Sequence, residues 1–184
     1  MVVSDPTASV QAMTTWPEPV RTDPPFADPE RPALEAWLDY ERATLLTKCA
    51  GLTPEQLALR SVPPSSLSLL GLVRHLTEVE RSWFRRRLGR QPDLPFLYCS
   101  DDNPDGDFDD VDPARADDDR AAYDAEVAVA REVVAGYGLD DRGLSRLGKE
   151  VDLRWIYLHM IEEYARHNGH ADLLRERIDG ATGE

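Results

Sequence analysis

The chain has 184 residues, enough for one domain with a sizeable core, with 41% hydrophobic residues and a formal charge of −14 at pH 7. That acidity argues against a general nucleic-acid binder, which would carry a basic face; the cluster of Arg81, Arg85, Arg86, Arg87 and Arg90 is local. No apolar run approaches the roughly 20 residues that cross a bilayer, MVVSDPTASVQAMTTW lacks the basic and hydrophobic parts of a secretion signal, and Cys49 and Cys99 are too few for a disulfide framework, so a cytoplasmic protein without membrane attachment is expected.

Residues 1–29 are rich in Pro, Thr and Asp and lack periodicity. They read as an N-terminal extension in which Trp16 and Phe26 are the side chains able to lie against the body. The body reads as a single domain over residues 30–180. Its first helix begins at Glu30 to Pro32, with proline in the opening turn, and stops near Cys49 ahead of Gly51. Leu34, Trp37, Leu38 and Leu45 form its apolar face. Thr53 and Gln56 have capping-box spacing for a short turn from Pro54 to Leu59. Ser66 or Ser68 caps a second long helix that ends near Gly89. Leu69, Leu72, Val73, Leu76, Val79 and Phe84 are its buried side, and His75, between Leu72 and Val79, also looks inward.

Residues 90–116 make a long crossover. Its LPFLY can pack on the bundle, whereas DDNPDGDFDDVDPARADDD, with ten aspartates, reads as a solvated linker. No Glu stands at the twelfth position of a calcium loop, so calcium is discounted. A third helix starts at Asp117, Asp118 and Asp119, whose charge suits a helix N-terminus, and ends at Gly138. Residues 139–152 are turn-rich, with room for a short strand or hairpin. Asp152 then caps a fourth helix that runs to Gly180.

That last helix carries three of the four histidines. Ile156, Met160, Glu163, His167, His170 and Leu174 recur at steps of three and four, the spacing of an inward stripe. A carboxylate and imidazoles occupy its middle, where burial is costly without partners. Glu163 and His167 lie four apart on one face, His159 one turn earlier, and His75 comes from another helix. His75, Glu163 and His167 are therefore the candidate ligands of a divalent metal, a composition suited to zinc, with nickel or another transition metal as alternatives. His159 and His170 are candidates for proton transfer, as outer groups of the site or as the polar edge of the stripe. Glu162 reads as exposed and paired with Arg166. There is no GxGxxG, no GxxxxGK[ST] and no HExxH, so nucleotide-loop and zinc-protease readings fail.

SLLGLVRHLTEVERSWFRRRL together with DLRWIYLHMIEEYARHNGHADLLRERI resembles the DinB-like superfamily, in its actinobacterial domain-of-unknown-function branch. It is more distantly similar to mycothiol-dependent maleylpyruvate isomerases and to bacillithiol transferases. The resemblance covers about Pro32 to Ile178. It implies an all-α four-helix bundle in up-down-down-up order with long crossover loops. It also implies a metal triad at His75, Glu163 and His167; many relatives have His at the Glu163 position and Gln at the His170 position. The implied activity is a metal-dependent thiol S-transfer or isomerisation of a small electrophile, with mycothiol as co-substrate. A metal-dependent hydrolase and a non-enzymatic, stress-related metal-binding bundle stay open, as does a homodimer.

Overall fold

The computed structural model describes residues 15–183; the opening stretch read for a secretion signal lies almost wholly outside them, as do the first 14 residues of the expected extension. The helices are α1 (Glu30–Cys49), α2 (Pro54–Leu57), α3 (Leu69–Glu80), α4 (Gly106–Asp109), α5 (Ala116–Val134) and α6 (Leu153–Asp179), with a two-stranded hairpin of β1 (Arg142–Leu144) and β2 (Glu150–Asp152). Arg142 pairs with Asp152, and Leu144 with Glu150, antiparallel. The four long helices α1, α3, α5 and α6 make the bundle, and the expected all-α class holds.

Cross-helix bonds fix their directions. Glu35 meets Tyr157 and Glu41 meets Asn168, so α1 and α6 run parallel. Arg74 meets Asp119, and Arg81 just beyond α3 meets Glu126, so α3 and α5 run parallel as well. Glu80 meets Tyr164, and His75 meets His167, so α3 opposes α6. The result is the expected up-down-down-up order. Leu38, Leu45, Leu72, Leu76, Phe84, Tyr123, Ile156, Met160 and Tyr164 are among the side chains that fill the core.

The local signals act largely as written. Thr53 and Gln56 close a reciprocal capping box on α2. Ser68 caps α3, and Asp152 caps α6 by accepting the Trp155 N–H at 2.8 Å. Gly180 ends α6 in the left-handed conformation, at φ 79°. α5 ends at Val134, earlier than expected, and Arg31 on α1 reaches over to donate to the carbonyls of Val134 and Tyr137.

Three further expectations change. Trp16 is buried and donates to Asp117 Oδ1 at 3.1 Å, but Phe26 is fully exposed. The second long helix turns π-helical from Arg81 to Leu88, with Gly89 N–H bonded to the Phe84 carbonyl five residues back. The hairpin presses on this segment: a Cβ at Gly143 would stand 2.6 Å from the Arg87 carbonyl oxygen. Lastly, the Asp-rich crossover is not simply solvated. Asp107 and Asp119 are buried, and α4 lies inside the run, against α3. Arg74 anchors it by donating to the Asp107 and Gly106 carbonyls, both at 2.9 Å, and to Asp119 at 3.4 Å.

Candidate metal centre

The opposed run of α3 and α6 sets His75 across from His167, with ring centroids 4.8 Å apart. Glu163, one turn before His167, completes a group in which one donor atom from each of His75, Glu163 and His167 lies within 4.8 Å of the others. All three are partly buried. Glu163 sits between two imidazoles of its own helix: Oε2 lies 3.6 Å from His167 Nε2, and Oε1 lies 3.4 Å from His159 Nε2. The His167 imidazole beside it, with His159 and His75, holds the Glu163 carboxyl below the usual carboxylate range, against the opposing effect of burial. Two imidazoles and one anionic carboxylate, half sheltered and converging from two helices, are a donor set that fits zinc or a similar borderline divalent cation.

The two outer histidines separate. His170 Nδ1 faces His167 Nδ1 at 3.4 Å, and burial, followed by the His167 charge, pushes the His170 imidazole down from its ordinary value. His159 lies on the other side of Glu163. It stacks on Trp155 at 4.9 Å and meets Trp83 edge-on at 4.7 Å, so two tryptophans wall the site on that side. Its Nδ1 lies 3.6 Å from Glu162, which also pairs with Arg166 as expected. His159, Glu162 and Glu163 form a second, more exposed group of donors sharing Glu163 with the first.

The residue that sequence reasoning missed is Asp107. Its Oδ2 lies 2.7 Å from His75 Nδ1, and the next side chain, Phe108, stacks on the His75 ring at 5.0 Å. The signal was present but faint: Gly106 and Phe108 flank Asp107, and Phe108 is the one aromatic residue in the acidic run of residues 101–119. Cys99 also comes close to Asp107; burial pushes its thiol up to about 11. Cys49 is fully buried in the core, as a small hydrophobe would be, and its thiol is pushed up to about 12.

An all-α bundle of this order, with polar side chains meeting in its middle, is of the DinB-like class. The family model described as mycothiol-S-transferase matches residues 33–180, and the chain belongs to that family. No curated protein matches the chain. Family membership supports a transferase-type activity related to mycothiol. Among the described residues, no helix is long and apolar enough to cross a membrane.

Proposed function

We propose that this protein is a metal-dependent S-transferase that uses a low-molecular-weight thiol of the mycothiol type and acts on a small electrophile. The observation that carries this reading is the convergence of His75, Glu163 and His167 within 4.8 Å in a chain of the mycothiol-S-transferase family. These three side chains would hold the ion, with zinc the expected metal and nickel the next. When bound, it would supply Lewis acidity that favours the thiolate form of the co-substrate. The chain's own thiols do not compete for that role, because burial holds both of them protonated.

In the transfer, the thiolate sulfur attacks the electrophilic carbon, a C–S bond forms, and the displaced electron pair leaves with the departing group or passes into an unsaturated acceptor. A proton must then be moved, and His159 and His170, which flank the Glu163–His167 pair, are the residues assigned to it in this reading. Trp83 and Trp155 offer apolar surface beside His159 for the body of the acceptor. Isomerisation is the same chemistry with the thiol expelled again after addition.

Metal content tests the centre first. Protein purified without chelator or added metal should contain about one equivalent of a divalent transition metal, and a His167→Ala sample should contain almost none; equally negligible content in both would overturn the centre. Metal-loaded protein with mycothiol and a panel of electrophiles should then give enzyme-dependent conjugates. Turnover of ester or amide substrates without thiol, and no conjugates, would favour hydrolysis instead.

A further inference from the structure

We infer that Asp107 is the positioning residue of this centre: it holds His75 in the Nδ1–H tautomer, so that Nε2 is the lone pair presented to a divalent cation. The inference rests on the reading of His75, Glu163 and His167 as ligands. A neutral imidazole has one donor and one acceptor nitrogen, and an ionised carboxylate only accepts. With Asp107 Oδ2 at 2.7 Å from Nδ1, the proton belongs on Nδ1. That leaves Nε2 as the only nitrogen of His75 able to bind a metal.

The turn that delivers Asp107 is built for close approach. A Cβ on Gly106 would collide with the Tyr98 carbonyl, so only glycine lets the chain pass at this depth. Arg74, the neighbour of His75 in sequence, holds the Gly106 and Asp107 carbonyls at 2.9 Å, which ties the turn to the same helix that carries the ligand. The remaining oxygen of Asp107 accepts the Phe108 N–H at 3.0 Å, and the Phe108 ring then lies along the His75 imidazole with planes 27° apart. Three consecutive residues thus shape one histidine: Gly106 by its size, Asp107 by its bond and Phe108 by its face.

A purely architectural role for the Asp107 carboxylate explains less. Arg74 grips the turn through backbone carbonyls, and Arg60 adds bonds to the Phe108 carbonyl and Asp109. None of these needs the Asp107 side chain. Its carboxylate, only 6% exposed, is spent on His75 and on its own neighbour's N–H. A carboxylate behind a ligating histidine fixes ring orientation and raises basicity, and losing one typically costs 10–100-fold in metal affinity.

The test compares wild type, Asp107→Asn and Asp107→Ala, with zinc affinity read by chelator competition and the His75 tautomer read by 15N NMR of metal-free protein at pH 8. Asp107→Ala should bind zinc about 10–100-fold more weakly and shift metal-free His75 toward the Nε2–H form. Asp107→Asn, which keeps an acceptor oxygen but loses the charge, should fall between the two in affinity; it carries the test if the alanine variant does not fold. Wild type that fails to bind zinc would overturn the ligand assignment itself. Wild type that binds zinc while both variants match it within twofold, with the tautomer unchanged, would overturn the role of Asp107 alone.

Discussion

Cys99 lies against the backbone of Asp107, one residue removed in contact from His75, yet its surroundings argue against nucleophilic work. Burial disfavours the thiolate, leaving the thiol at about 11. At pH 8 the reactive fraction is then on the order of 100-fold smaller than for a free thiol near 8.5. Alkylation of Cys99 by iodoacetamide is expected to be slower than that of a cysteine peptide by that order, and to climb about tenfold per pH unit between pH 8 and 10. A rate at pH 8 equal to the peptide's would show an exposed, activated thiol and would reopen the question of which sulfur attacks. Cys49, with no exposed surface, should stay unmodified until the protein unfolds.

The long helices are joined below the candidate centre by one buried polar network. Arg42 on α1 makes a two-point bond to Glu80 on α3, Nε to Oε1 and Nη2 to Oε2, each at 2.8 Å. Tyr164 on α6 donates to the same Oε1 at 2.8 Å and sits 3.0 Å from the Tyr123 hydroxyl on α5. Glu80 is fully buried and Arg42 nearly so, and removing one partner of such a pair strands the other. Glu80→Ala is therefore expected to cost about 3–5 kcal/mol in urea unfolding, far more than an exposed pair such as Arg142–Glu150, for which little change is expected; a loss under 1 kcal/mol would mean that the network is loosely held. The helices themselves were readable because their signals are local: proline in the first turn of α1, the Thr53–Gln56 box, Ser68, Asp152 and Gly180 each act on neighbours a few residues away. The candidate ligands were readable because a polar stripe at core spacing contradicts its own burial. Asp107 was not, since it is one of many similar aspartates and its burial is decided by Arg74, 33 residues earlier. The π-helical turns at Arg81–Leu88 were hidden for the same reason, as hydrophobic spacing does not report the contact of Gly143 with that backbone.

Viewed across the bundle, His75 belongs to α3, while Glu163 and His167 belong to α6, and the crossover between α3 and α5 closes behind His75 through Asp107. A cation held there would join two opposed helices and the connection that separates α3 from α5 in sequence. Binding to the folded state alone raises stability by mass action, about 2.7 kcal/mol when the free ion is at 100 times its Kd. For a domain of this size each kcal/mol is worth roughly 2–4 °C, so zinc at that excess should raise the Tm of metal-free protein by about 5–10 °C. The sign with pH follows from the ligands: imidazole binds metal only when neutral, so protons compete, and the shift should shrink as the pH is lowered from 8 toward 5.5. His167→Ala should lose the shift while keeping the helical signal of the metal-free wild type, because its imidazole is only partly buried. A shift that survives in His167→Ala would instead place the ion either on the His159, Glu162 and Glu163 group or on the acidic surface, where the aspartates of residues 101–119 offer many weak oxygen donors. Surface binding would be salt-sensitive, and the two cases separate on repeating the melt at 0.5 M salt.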